Sequence, residues 1–101
     1  MTTNKKIALV TGGSRGLGKN MALALGKKGI NVILTYNSKQ DEAAMVVKEL
    51  EQTGVKAAAL QLNAADIKSF NAFFTAVKTV LNETFNATRF DFLVNNAGVG
   101  V

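Results

Sequence analysis

The sequence contains no cysteine and no histidine. Without cysteine the chain can form no disulfide and offers no thiolate as a metal ligand or nucleophile. Without histidine it lacks the commonest metal-binding side chain and the commonest general base of enzymes. These two absences predict a protein with no metal site, and they exclude catalysis by a thiolate or an imidazole of this chain.

Long apolar runs are also missing. No run approaches the ~20 residues that a membrane-spanning helix requires. The apolar run nearest the start, at residues 7–10, is too short for the hydrophobic region of a signal peptide. We therefore expect a cytoplasmic protein that does not associate with membranes.

Clusters of one charge are absent too, although the chain is basic. Twelve lysines and arginines outnumber seven acids, which gives a net charge of +5. The cations are spread along the whole chain, which is typical of solvated helix faces, whereas a nucleic-acid-binding surface concentrates them. We expect no nucleic-acid partner, while an anionic cofactor remains compatible with this charge.

Strand and helix patterns alternate regularly along the 101 residues. Apolar and β-branched runs predict strands over 6–10, 30–36, 55–62 and 90–94. Helical patterns predict helices over 17–28, between Ser38 and Gly54, and over 66–85. Short connections between alternating strands and helices imply a parallel sheet. We therefore predict an α/β fold, the first half of a Rossmann-type doubly wound parallel sheet with strand order 3-2-1-4 and helices on both faces.

The helical patterns also predict which side chains are buried. Ser38, with Asp41 three residues later, is predicted to cap the second helix. The phenylalanines of the third helix, Phe73 and Phe74 among them, are predicted to lie in the core because they follow an i, i+3, i+4 pattern. In the first helix the apolar residues that recur at helical spacing are Leu17, Met21, Ala24 and Leu25.

The segment "TGGSRGLG", residues 11–18, places three glycines between the first strand and the first helix. Its spacing, G-x-x-x-G-x-G, differs from the G-x-G-x-x-G dinucleotide pattern and from a Walker loop. Gly12 can take a positive φ as the chain leaves the strand, Gly16 lets a ligand approach the backbone, and Gly18 lets the helix pack close to the sheet. The free amides at the start of a helix favour an anion at this point. The alternative is a tight turn without a ligand.

The end of the second strand indicates which dinucleotide is bound. NAD-preferring sites carry an acid there, which binds the ribose 2′-hydroxyl. Here the segment contains Asn37, Ser38 and Lys39, and no acid occurs before Asp41. Arg15, in the glycine turn, can supply the charged donor that a 2′-phosphate requires. The sequence therefore favours NADP(H) over NAD(H), with a solvated loop cation as the alternative role for Arg15.

Together, "TGGSRGLG" after the first strand and "LVNNAG" at the end of the fourth resemble the short-chain dehydrogenase/reductase family. The similarity is closest to its 3-oxoacyl-[acyl-carrier-protein] reductase-like branch, and it covers the N-terminal part of that family's fold. The resemblance implies that residues 1–101 are an incomplete NAD(P)-binding Rossmann domain. It implies an NADPH-dependent oxidoreductase that acts on a small-molecule carbonyl or alcohol and, in its full-length form, is a homo-oligomer.

The same resemblance implies a set of cofactor-binding residues. Arg15, Asn37 and Ser38 are expected to contact the 2′-phosphate. Asn63 and the backbone of Ala64 are expected beside the adenine ring, where many family members have aspartate in place of Asn63. The glycine turn, expected to hold the pyrophosphate and the adenosine ribose, comprises Gly12, Gly13, Ser14, Arg15, Gly16, Leu17 and Gly18. The residues expected to border the cofactor ribose after the fourth strand are Asn95, Ala97 and Gly98.

No catalytic residue is predicted in these 101 residues. The family uses a tyrosine with a lysine four residues later, C-terminal to the "NNAG" segment. The sole tyrosine here is Tyr36, and the position four residues after it holds Gln40. We therefore expect the cofactor-binding half of an enzyme, inactive by itself.

Two other classes of function remain open. The first is a non-catalytic dinucleotide-binding module, or a fragment that pairs through the edge of its fourth strand. The second is a different doubly wound protein, such as a methyltransferase or a nucleic-acid binder.

Overall fold

A computed structural model of the protein describes residues 6–12, 16–62 and 69–95. Strands and helices alternate along these residues, as the sequence predicts. The predicted start of the third helix, at residue 66, lies outside the described residues. The elements in chain order are β1 (Ile7–Thr11), α1 (Gly16–Lys27), β2 (Asn31–Tyr36), α2 (Gln40–Gln52), β3 (Ala57–Gln61), α3 (Ser69–Phe85) and β4 (Phe92–Asn95).

The four strands form one parallel sheet in the order β3-β2-β1-β4, which confirms the predicted topology. β1 pairs with β2 from Ile7 opposite Asn31 to Val10 opposite Leu34. On its other side β1 pairs with β4, ending with Thr11 opposite Asn95. Because all the strands run the same way, their carboxyl ends meet at one edge of the sheet.

The sheet is covered on both faces because its strands alternate two sets of buried apolar side chains. Val10, Val32 and Leu34 pack with α1 and α2 in one cluster. Leu9 and Ile33 point the other way and pack against α3. The central strands are buried on both sides, which explains why they read as continuous apolar runs.

Small residues, rather than large ones, form the buried face of α1. Its buried residues are Gly18, Ala22 and Gly26, which recur every four positions. Leu17 and Met21, predicted from their spacing to be in the apolar stripe, are 72% and 39% exposed. These two side chains lie outside the buried face of α1, whereas Leu25 of the same pattern packs against the core. Burial of Gly18 agrees with the close packing that the sequence predicts for it.

Two further predictions fail for local reasons. Phe73 is buried but Phe74 is 55% exposed, since consecutive residues point about 100° apart around a helix. The ring centroid of Phe74 lies 5.8 Å from that of Phe73. Ser38 does not cap α2: Lys39 occupies the N-cap position, and no side chain caps the helix. Asp41 and a neighbouring acid lie in the first turn, where they interact favourably with the helix dipole.

None of the helices in the described ranges is long and apolar enough to cross a membrane.

Gly26 of α1 lies against Leu50 of α2, and we expect this position to tolerate no larger side chain. A Cβ atom there would lie 2.5 Å from Leu50 Cδ2 and 3.3 Å from Thr53 Oγ1. Leu50 is fully buried and cannot move aside without disturbing the core. Gly26→Val should therefore lower the free energy of unfolding by about 2 kcal/mol, as overpacking does. Urea denaturation measures this change.

Ala24→Val is the matched control, because Ala24 lies on the exposed side of the same helix. It should cost only about 0.5 kcal/mol, from the lower helix propensity of valine. Equal losses in the two variants would contradict the close approach at Gly26.

Candidate functional site

The candidate site lies at the carboxyl edge of the sheet, beside the end of β1. The chain leaves β1 there and continues to α1. In the sheet, β2 lies on one side of β1 and β4 on the other. The helices that lead into these two strands, α1 and α3, pack on opposite faces of the sheet, which makes the carboxyl end of β1 the point where the strand order reverses and a crevice forms. In open α/β sheets ligands bind in such crevices, at the point where the strand order reverses.

The glycine turn connects β1 to α1 at this crevice. Gly12 and Gly16, at its two ends, have φ angles of 68° and 64°. These left-handed values are easily adopted only by glycine. Apart from its own helix and chain neighbours, no atom of residues 6–12, 16–62 or 69–95 lies within 4 Å of a Cβ atom built on Gly16, so the positive φ is the reason found there for glycine. Gly13, Ser14 and Arg15, predicted to belong to the same turn, lie outside the described residues.

The start of α1 gives the crevice a positive potential. The first four amides of an α-helix have no partner within the helix, and the helix dipole adds to their effect. No acidic residue lies in the first turn of α1, while Lys27 lies in its last turn. Leu17, in the first turn, is largely exposed beside this site. The arrangement favours an anionic group at the N-terminus of α1.

Two threonine hydroxyls hold the end of β1, and the sequence reasoning did not identify either of them. The Gly12 amide donates a hydrogen bond of 2.9 Å to Thr35 Oγ1 on β2. The Thr11 hydroxyl donates a longer bond of 3.4 Å to the Val94 carbonyl oxygen on β4. The available signal is that both central strands change from aliphatic residues to threonine near their carboxyl ends.

The exit of β2 exposes the residues predicted to contact a 2′-phosphate. Asn37 and Ser38 are both exposed directly after the strand. The backbone here is held from β3, because Gln61 Nε2 donates a 2.9 Å bond to the Asn37 carbonyl oxygen. The Leu62 amide also donates to the Tyr36 carbonyl oxygen, at 2.8 Å. The sequence analysis did not identify Gln61, which holds the backbone of this exit.

Tyr36 lies at the end of β2, half-buried, and packs against the cluster between the sheet and α1 and α2. The acids nearest to the β2 exit in the chain, Asp41 and Glu42, are in the first turn of α2 and not on the strand exit. The exit itself therefore carries no carboxylate.

The structure describes only part of the remaining predicted site. The Asn95 backbone ends β4 opposite Thr11, beside the glycine turn. Asn63 and Ala64, predicted beside an adenine ring, and Ala97 and Gly98, predicted beside a ribose, all lie outside the described residues. The described residues thus bring together Gly12, Gly16 and the ends of β1, β2 and β4.

A cavity of about 530 Å³ lies at the opposite edge of the sheet. Its walls include Ile7 and Asn31 at the starts of strands, and Phe85 at the end of α3. Lys56, Arg89 and Asp91 also line this cavity. Among the described residues, no group of three or more acids, histidines or cysteines could hold a metal ion.

The sequence of this chain is similar to that of known oxidoreductases. Residues 6–101 match the family model of the short chain dehydrogenases. The 3-oxoacyl-[acyl-carrier-protein] reductase FabG of Staphylococcus aureus is 42% identical over 94 residues, which are 93% of this chain and 36% of that relative. The trihydroxynaphthalene reductase of Colletotrichum orbiculare is 34% identical over 94 residues, which are 93% of this chain and 31% of that relative.

The fold is similar to that of solved reductases. The angucycline C-6 ketoreductase LanV with bound NADP superposes with a TM-score of 0.87 at 38% identity, over 93% of this chain and 37% of that protein. The acetoin dehydrogenase YohF from Salmonella typhimurium superposes with a TM-score of 0.81 at 30% identity, over 94% of this chain and 37% of that protein. The chain therefore spans about a third of the length of the relatives that it matches.

The left-handed conformation of Gly16 can be tested by its effect on stability. Gly16→Ala should lower the free energy of unfolding by about 1 kcal/mol, because a Cβ atom is disfavoured at positive φ. Gly16→Asn should lower it less, since asparagine tolerates this conformation better than alanine does. Denaturant unfolding of the ligand-free protein measures both changes. An alanine variant as stable as the wild type would show that Gly16 does not need this conformation.

Proposed function

Because this chain belongs to the short-chain dehydrogenase family, we propose that it is the dinucleotide-binding half of an NADP-dependent oxidoreductase. The proposed reaction is hydride transfer between NADPH and a carbonyl compound, or the reverse oxidation of an alcohol. The observation that carries the proposal is the glycine turn, with Gly12 and Gly16 both left-handed. It opens α1 at the crevice where doubly wound sheets bind nucleotides.

The chemistry of the turn fits a pyrophosphate. The N-terminus of α1 presents amides to the crevice and has no carboxylate in its first turn. The proposed contacts run from Gly12 through Gly13, Ser14 and Arg15 to Leu17, and burial of Gly18 keeps α1 close to the sheet. We assign the adenine ring to Asn63 and Ala64 on the β3 side, and the second ribose to Asn95, Ala97 and Gly98 after β4.

The preference for NADP rests on the exit of β2. Asn37 and Ser38 are exposed there, and the first acids lie inside α2. A 2′-phosphate would therefore meet neutral donors and the guanidinium of Arg15 rather than a repelling carboxylate. The similar ketoreductase LanV has NADP bound.

The proposed role of this chain in catalysis is to bind and orient the dinucleotide. The nicotinamide supplies the hydride when the cofactor is bound. Tyr36 packs against the core beside α1 and α2, so this chain supplies no tyrosine to protonate a substrate oxygen at the crevice. In this proposal the proton donor and the substrate pocket belong to the part of the family's fold that these residues do not include. Family membership also leads us to expect a cytoplasmic homo-oligomer in the full-length form.

One observation favours a second candidate function, pairing with another polypeptide. Within the described residues β4 is an edge strand, and Phe92 and Leu93 on it are 43% and 58% exposed. Exposed apolar edge strands pair readily with other strands. A dinucleotide-binding module that acts through this edge would bind NADPH without turnover, and sedimentation of the 101-residue polypeptide would show association.

The proposed 2′-phosphate contact predicts a selective loss of affinity. Arg15→Ala should weaken NADPH binding at least about 10-fold, because a charge-assisted bond to phosphate contributes about 1.5–3 kcal/mol. NADH binding should change much less, since NADH has no 2′-phosphate. Titration calorimetry on the gene's full product measures both dissociation constants.

Arg89→Ala is the matched control for this test. Arg89 is exposed and precedes β4, so it lies at the opposite edge of the sheet. The control should leave both affinities unchanged. Equal losses of NADPH and NADH affinity in Arg15→Ala would contradict the assignment of Arg15 to the 2′-phosphate.

The proposed function predicts that residues 1–101 bind NADPH without catalysing a reaction. A purified polypeptide of residues 1–101 should bind NADPH but should not oxidise it in the presence of ketones. The physical reason is that this polypeptide holds the cofactor but has no proton donor at the crevice. NADPH absorbance measures turnover, and intact mass verifies the polypeptide. Measurable ketone reduction by the verified sample would overturn this account of the catalytic residues.

A further inference from the structure

A buried side chain that is not among the predicted cofactor-binding residues contacts the glycine turn directly. Thr35 is only 1% exposed, and its Oγ1 accepts a 2.9 Å hydrogen bond from the Gly12 amide. We propose that Thr35 is a positioning residue, whose hydroxyl fixes the first amide of the turn and thereby tightens dinucleotide binding. The inference rests on the proposed function, and it adds a residue to the site that the family patterns in the sequence do not include.

The hydroxyl of Thr35 is not needed to fill space. The three residues before it, Val32, Ile33 and Leu34, are fully buried and aliphatic. Valine has nearly the same shape as threonine and would suit a buried strand equally well. A buried hydroxyl is unfavourable unless it forms hydrogen bonds. The bond to Gly12 is therefore the contribution that distinguishes threonine from valine at this position.

The bond continues the attachment of β1 to β2 beyond the point where their backbone pairing ends. The last paired residues are Val10 and Leu34. One residue after Thr11 the chain turns at Gly12, whose φ of 68° takes it out of the strand. At that turn Thr35 Oγ1 accepts the hydrogen bond from the Gly12 amide. In a continuing strand, a backbone carbonyl oxygen of the neighbouring strand would be the acceptor. The position of the turn is thus tied to β2, the strand whose exit is proposed to hold the 2′-phosphate.

A weaker tether acts on the other side of β1. Thr11 Oγ1 donates to the Val94 carbonyl oxygen at 3.4 Å, which is long for a hydroxyl donor. The shorter bond from Gly12, shielded by the burial of Thr35, is the one expected to restrict the turn. A turn already held in its binding conformation loses less conformational entropy when the ligand binds.

The test compares Thr35→Val with Thr35→Ser and with a control on the same strand. Removal of one neutral hydrogen bond of about 1 kcal/mol should raise the dissociation constant for NADPH about fivefold. Thr35→Ser keeps the hydroxyl and should remain within about twofold of the wild type. Ile33→Val also destabilises β2, but its side chain faces α3, so NADPH affinity should not change.

A second ligand separates positioning of the turn from a general loss of structure. Adenosine 2′-monophosphate lacks the pyrophosphate and keeps only the contacts of the turn with the ribose and the 2′-phosphate, so Thr35→Val should weaken its binding less than it weakens the binding of NADPH. Calorimetric titration of the gene's full product with each ligand measures these values. Equal weakening of both ligands, or equal weakening by Ile33→Val and Thr35→Val, would show a structural role only and overturn the proposal.

The two proposals fail in different ways. If the wild type does not bind NADPH, the proposed function fails, and positioning of a dinucleotide fails with it. If the wild type binds NADPH and Thr35→Val binds it equally well, only the positioning role fails. Should Thr35→Val not fold, hydrogen exchange in the wild type decides: the Gly12 amide should exchange as slowly as amides inside β1, and rapid exchange overturns the proposal.

Discussion

The pairing of β1 with strands on both sides is the constraint on which the rest of this structure depends. β2 and β4 flank β1, and the helices that lead into them, α1 and α3, diverge to opposite faces of the sheet. That divergence opens the crevice at the carboxyl edge. The glycine turn, the start of α1 and the end of β4 are functional candidates only because this pairing puts them beside one another.

Close packing of α1 follows from the same arrangement. A helix that connects two adjacent parallel strands must cross back over the sheet next to the following helix. Gly18, Ala22 and Gly26 allow this approach, and Gly26 lies against Leu50 of α2. The approach fixes the axis of α1, and therefore the direction in which its free N-terminal amides point. The small residues on the buried face of α1 therefore help to determine where the candidate ligand site lies.

Hydrogen bonds between neighbouring strands fix the exits from the sheet. Thr35 and Thr11 hold the end of β1, and Gln61 holds the backbone of Asn37 after β2. Each of these bonds joins a side chain on one strand to the backbone of the next. Their combined effect is that the loops proposed to hold the pyrophosphate and the 2′-phosphate start from fixed positions.

The sequence by itself determined the order of the elements, the parallel sheet and the location of the glycine turn. It could do so because strand and helix periodicities are local, and because Gly12 marks the position where the chain leaves the strand with a positive φ. The left-handed φ of Gly16 is visible only in the structure. Tertiary structure alone decided that Leu17 lies outside the core and that Lys39 occupies the cap of α2. It also decided that the Thr35 hydroxyl reaches Gly12, 23 positions away in the chain. Such contacts depend on the distance between packed elements, and no periodicity within one element encodes that distance.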